Sequence, residues 1–171
     1  TSSYQRAKLV SFFIALCSLL YHIDICIFFY VNKIMPMFYY NFISISVFLI
    51  ILLLVPRLKS YIVLYGLASL EVITHQVLAD YFLGSYSSFH SFILLLGLMP
   101  FLVFENKKKY ALPVTIICSL IYIYFASRTI EPQMEIAENI LFAVRRMNIS
   151  IMVFMIVFVI LIYTSVVYRI E

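Results

Sequence analysis

Charge is what this sequence most conspicuously lacks: 12% of its 171 residues are Asp, Glu, Lys or Arg, while 65% are hydrophobic and the mean hydropathy is +1.07. Ordinary soluble domains carry about 25% charged residues, so this balance excludes a water-soluble domain and indicates an integral membrane protein. Glycine is scarce at three residues. No GxSxG elbow, P-loop or GxxxG stripe is present, so no nucleophile elbow, phosphate cradle or marked dimer face can be named. Cys17, Cys26 and Cys118 lie in apolar runs without CxxC spacing, which argues against a disulfide framework and a zinc knuckle. The apolar runs do not alternate as barrel strands would. No internal repeat or inverted symmetry favours a transporter, and no solvated basic patch favours a nucleic-acid partner. A cleavable signal peptide is not expected, because the first apolar run is long and lacks a small-residue cleavage site, and the missing initiator Met suggests an excerpt.

What remains is a series of apolar runs near the roughly 20 residues that cross a bilayer as helix. They predict an all-α, polytopic six-helix membrane bundle filling residues 1–171 as one domain, with spans at about 9–31, 37–55, 61–83, 87–104, 110–127 and 147–168. The third and fourth spans form a hairpin through Gly84 and a serine-rich turn. Before the sixth span, Pro132 stands where a first helical turn tolerates it. Apolar stripes at Met134, Ile136, Ala137, Ile140, Leu141 and Val144 oppose Glu135, Glu138 and Arg145, predicting an outer amphipathic helix over about 132–146 that can run on into the sixth span.

Orientation follows from basic residues in alternate loops. Placing the N-terminus inside puts Arg6, Lys8, Arg57, Lys59, Lys107, Lys108, Lys109 and Arg169 on the cytoplasmic side, and Lys33, Arg128, Arg145 and Arg146 outside. Both termini are therefore expected in the cytoplasm, with the chain in the inner (cytoplasmic) membrane.

The informative residues are the polar ones inside the runs. A titratable group in hydrocarbon costs several kcal/mol unless paired or wetted, so it is a functional hypothesis by default. At about 1.5 Å per residue, Glu71 lies about 15 Å deep, His75 about 21 Å, and His22 and Asp24 about 20 and 23 Å, while His90 is about 5 Å below the outer surface. Glu71 and His75 are i, i+4 and share a face; Asp80 lies on the opposite side of the same helix. Four readings stand for the cluster: hydrogen bonding between helices, an outward-facing ligand pocket, a metal site, and a haem held by His22 and His75. The metal reading lacks an HExxH motif and a cysteine ligand. The candidate ligand-binding residues are Glu71, His75, His90, His22, Asp24 and Arg128. No catalytic residue, resident metal or cofactor is assigned.

The run E-x-x-x-H-Q-x-L-A-x-Y-F-L-G at Glu71 to Gly84, the start of the fourth span at Phe89 and His90, and the K-K-K turn at Lys107 to Lys109 together resemble the N-terminal membrane region of bacterial membrane-bound nucleotide cyclases. In those proteins a six-helix module precedes a class III adenylate or guanylate cyclase domain or a diguanylate cyclase domain. The resemblance carries over Glu71, His75, Gly84 and His90; Ser88 and Phe89 stand where a Gly-Phe pair is common in that family. It implies a receptor or regulatory anchor that senses a small or lipidic ligand, forms a homodimer, and signals through the sixth helix to a catalytic domain beyond residue 171. The alternatives are the membrane region of a sensor histidine kinase, or a small transporter or channel along the file His22, Asp24, Glu71 and His75.

Overall fold

A computed structural model describes residues 2–58, 61–104 and 109–168. Lys59, Lys107, Lys108 and Arg169 of the charge count lie outside the described residues. Among the described residues six α-helices follow in order: α1 (Ser2–Val31), α2 (Met35–Leu54), α3 (Ile62–Leu83), α4 (Phe92–Val103), α5 (Ala111–Ala126) and α6 (Glu138–Tyr168). Among the described residues there is no strand. Four helices are long and apolar enough to cross a membrane: Ala7–Val31 within α1, Met35–Leu54, Ile62–Leu83, and Glu138–Leu161 within α6. α4, taken with the turn before it, and α5 are shorter apolar helices.

Local chemistry places the ends. α1 stops where Ile34 N–H bonds back to Phe29 O at 2.8 Å and Lys33 takes a left-handed φ of 59°, a Schellman closure with Lys in the position glycine usually fills. α2 starts immediately afterwards with Pro36 in its first turn, where a missing N–H costs nothing. It ends with Val55 as its cap, which keeps a right-handed backbone (φ −48°, ψ −47°), because Pro56 next has no N–H to continue the hydrogen-bond ladder. α3 ends at Gly84, whose φ is 78°.

Two predicted elements differ from what forms. The fourth span does not begin as α-helix at 87; two single-turn 3-10 helices, Ser85–Ser87 and Phe89–Ser91, separated by Ser88 at φ 60°, precede α4. The amphipathic helix expected from 132 begins only at Glu138 and then runs unbroken to Tyr168. The segment before it is not helical because its backbone bonds elsewhere. Ile130 O accepts from Ser85 N at 3.0 Å, Gln133 N donates to Tyr81 O at 3.3 Å, and Pro132 has no N–H to offer a helix.

α1, α3 and α4 form the centre of the bundle. α2 packs on α1 and α3, α6 on α1 and α4, and α5 chiefly on α4. The α4–α5 approach is close at Gly97, where an added Cβ would meet Cys118 Cβ at 3.3 Å, and Thr115 Oγ1 donates to Gly97 O. Apolar packing is concentrated in two zones. One, at the end bearing the start of α1, contains Val10, Phe48, Ile51, Tyr61, Leu64 and Val103. The other, at the Gly84 turn, contains Ile25, Phe29, Ile34, Met37, Leu83 and Phe89. Between them lies a layer of buried polar side chains.

Gly84 joins the turn to the strap over it. A Cβ there would stand 2.8 Å from Ile130 O and 3.1 Å from Pro132 Cδ, on a backbone conformation that L-residues rarely adopt. Gly84→Ala is expected to lower stability by about 1 to 3 kcal/mol, seen as a depressed thermal midpoint in nanodiscs. Gly66→Ala, where the new methyl meets nothing within 4 Å, should leave the midpoint unchanged or raised.

Candidate functional site

The polar layer is assembled by three helices. From α1, His22 places Nδ1 at 2.9 Å from Asn41 Oδ1 of α2, and Asn41 Nδ2 donates to Met37 O at 2.7 Å. The amide oxygen can only accept, so His22 Nδ1 carries the proton and donates. His22 Nε2 then points at Glu71 of α3, 3.8 Å from Oε2, which is an ion-pair distance longer than a hydrogen bond. Ser44 of α2 faces the same carboxyl. One turn further along α3, the His75 ring stands edge-on to His22 with centroids 5.0 Å apart. Tyr40 and Phe89 flank it at 5.6 and 5.5 Å.

What sets this layer apart is unmatched polarity. Buried polar atoms in proteins nearly always have partners. Here both Glu71 carboxyl oxygens, both His75 ring nitrogens, Ser44 Oγ and Gln76 Oε1 are buried without a hydrogen-bond partner among the described residues. His75 is fully buried.

A second polar group sits nearer the Gly84 turn and is paired except at Asp80 Oδ1, which is buried without a hydrogen-bond partner among the described residues. His90 Nδ1 donates to Asp80 Oδ2 at 2.9 Å, with both residues buried and the Tyr122 ring 5.8 Å from the imidazole. Tyr21 Oη donates to Asn148 Oδ1 at 2.8 Å, Asn148 Nδ2 to Ser87 O at 2.9 Å, and Ser87 Oγ to Gly84 O at 2.7 Å. This chain ties α1, α6 and the turn together.

Of the six residues expected to bind ligand, the structure brings Glu71, His75 and His22 together and leaves three apart. His90 belongs to the Asp80 pair. Asp24 is exposed on the flank of α1 among Leu20, Ile23 and Ile27, because its helical phase turns it away from the buried line His22, Ile25, Cys26 and Phe29. Arg128 is exposed just beyond α5, its guanidinium 4.2 Å over the Tyr124 ring. The file His22, Asp24, Glu71 and His75 is therefore not continuous. A haem between His22 and His75 has no room, since the two rings touch. Among the described residues no group of three or more His, Cys, Asp or Glu is arranged to hold a metal.

A cavity of about 100 Å³ adjoins the layer. Tyr21, His22 and Gln76 form its polar end, and residues such as Leu64, Met99 and Val103 line the remainder. It runs from the polar layer toward the end bearing the start of α1, opposite to the outward-facing pocket expected. On the other side of His75 the fully buried Ile25, Phe29, Leu83 and Phe89 fill the space. Gln76 and Tyr21 are the residues that the candidate list missed. Gln76 carried a signal, its adjacency to His75 in the third span. Tyr21 carried none beyond its place before His22.

No protein family model matches the chain, and neither a curated protein nor a solved structure matches it.

The two groups separate experimentally. Asp80→Ala leaves His90 buried and alone, and is expected to cost on the order of 3 kcal/mol in reversible unfolding from micelles. Glu71→Leu removes a carboxyl that makes no hydrogen bond, and is expected to leave stability unchanged or improved. A loss comparable to that of Asp80→Ala would make Glu71 a structural residue.

Proposed function

We propose that this chain is the membrane-embedded regulatory region of a signalling protein of the nucleotide-cyclase type, in which occupancy of the cavity beside Glu71 and His75 sets the position of α6. One observation carries this reading. Ile151 and Met155 of α6 line the cavity, and the same helix continues without a break to Tyr168, about 20 Å beyond Met155. A ligand in the cavity would touch the element that leads toward the end of the chain.

The resemblance to cyclase membrane regions supplies the output: a catalytic domain following residue 171, active as a dimer through paired sixth helices. On this reading all six helices cross the membrane, α4 and α5 as short spans shielded by their neighbours, and both chain ends face the cytoplasm of a bacterial inner membrane. The sequence residues shared with that family take distinct parts. Glu71 and His75 lie in the unpaired layer, Gly84 anchors the turn, and His90 pairs with Asp80. A ligand shifts such an equilibrium only by binding one helix arrangement better than another. Contact with α6 provides that difference.

The orientation is tested by cysteines placed singly in a cysteine-free background. In intact cells, Ser85→Cys at the turn should react with a membrane-impermeant maleimide and Gln5→Cys should react only after lysis; the reverse pattern inverts the topology. The regulatory reading is tested in the full-length protein. Met155→Trp, which fills the cavity, should change basal nucleotide-cyclase activity several-fold, while Leu120→Trp on the exposed side of α5 should not. Equal effects, or a coding sequence with no signalling domain past Glu171, would overturn it.

A further inference from the structure

We infer that the cavity takes a single-chain amphiphile with an uncharged hydrogen-bonding head, the head meeting Gln76 and the chain running toward Val103. This ligand class rests on reading the cavity as a binding site.

The shape argues for one chain. From Ser11 to His22 the cavity follows α1 for about 16 Å, close to half the hydrocarbon thickness of a bilayer. Space of about 100 Å³ open to the centre of a water-sized sphere, drawn out over that length, is a narrow channel. It suits an unbranched chain better than the paired chains of a phospholipid. Its walls, with Leu64, Met99 and Val103 at the far end, are almost entirely apolar. Sites of this kind obtain affinity from apolar contact and orientation from a few polar groups.

The polar end argues for the head. Ser11, Ser18 and Tyr65 also line the cavity, Tyr65 donating to Leu96 O; at the polar end His22 directs Nδ1 to Asn41, and Tyr21 directs its hydroxyl proton to Asn148. Gln76 retains unmatched capacity: it is 4% exposed, lines the cavity, and its Oε1 has no partner among the described residues. A primary amide offers both an acceptor and donors, so it matches a hydroxyl or an amide head. No Lys or Arg lines the cavity, and the acidic Glu71 stands behind His22 with its carboxyl 3.8 Å from Nε2. A carboxylate or phosphate head would therefore be buried beside an acidic side chain without a countercharge, which is strongly unfavourable.

The experiment uses the full chain in phosphatidylcholine nanodiscs with four probes of equal chain length: dodecan-1-ol, dodecane, dodecanoate at pH 8 and dodecylammonium. Affinity is read by native mass spectrometry and by the thermal midpoint. Dodecan-1-ol is expected to bind saturably and at least about fivefold tighter than each of the other three. Gln76→Leu should weaken the alcohol by roughly five- to tenfold while leaving dodecane unchanged. Ala68→Phe, which fills the cavity, should abolish saturable binding of all four. Equal binding of alcohol and alkane, tighter binding of either ion, or an unchanged alcohol affinity in Gln76→Leu would overturn the assignment. The probe series on the unaltered chain stands even if Ala68→Phe fails to fold. Saturable, Gln76-dependent binding with no change in the activity of the full-length protein would support the ligand class and overturn the regulatory reading instead.

Discussion

The hydrogen bond from His22 to Asn41 is the contact on which the interior of this bundle depends. In hydrocarbon no solvent takes up a polar side chain, so each must find its partner on another helix or on its own backbone. Asn41 does both: it anchors its amide on Met37 O and accepts the His22 proton. That arrangement sets the register of α2 against α1 and leaves His22 with a single free ring nitrogen. It also lays the imidazole flat against Phe48, at 5.2 Å and 20° between planes, and directs its edge to His75. Phe48 and His22 are both walls of the cavity. The polar layer and the apolar chamber are thus two faces of one ring, positioned by one bond.

Two kinds of buried polarity follow from this. Asp80 Oδ2 with His90, and Tyr21 with Asn148 and Ser87, are paired and join separate elements, although Asp80 Oδ1 has no partner among the described residues; such pairs contribute modestly to a membrane bundle. Glu71, His75 and Gln76 are unmatched and lie within two turns of α3. Scattered exceptions to hydrogen-bond pairing would carry no meaning. Here Glu71, His75 and Gln76 stand close together on one helix, with Ser69 Oγ and Asp80 Oδ1 of the same helix also without partners among the described residues, and Gln76 lines a cavity; this is the clustering on which the proposed ligand site rests.

The amino-acid sequence made some of this legible. Apolar runs bounded by Pro56 and Gly84 located the long helices, because crossing hydrocarbon demands length and composition that the chain cannot disguise. The spacing of Glu71 and His75 placed them on one face, because helical phase is local. Asp24 was grouped with His22 because only one residue separates them, while phase turns it about 160° away, toward the exposed flank. The late start of α6 depends on hydrogen bonds to Tyr81 and Ser85, far away in the chain, which no periodicity in 132–146 can express. The cavity lay on the unexpected side of the polar layer for a similar reason. Its extent is set by how Phe29, Phe89 and Leu83 fill one side and by how Leu64, Met99 and Val103 fail to fill the other.

Those packing differences bear on how α6 would respond. Near the Gly84 turn the helix is held by fully buried Val144 and Asn148. About 10 Å further along, Met155 borders the cavity, and Tyr168 lies about 30 Å from Asn148. A helix pinned at Asn148 and displaced by 1 Å at Met155, if rigid, moves about 3 Å at Tyr168. The tie through Asn148 therefore does more than close the bundle. It supplies the fixed point about which a small change in cavity width, on the proposed reading, becomes a displacement large enough to reset a helix pair. On that reading the links from Asn148 through Ser87 to Gly84 would act away from the cavity, and Tyr21, at the other end of the same chain, would join them to the cavity's polar wall.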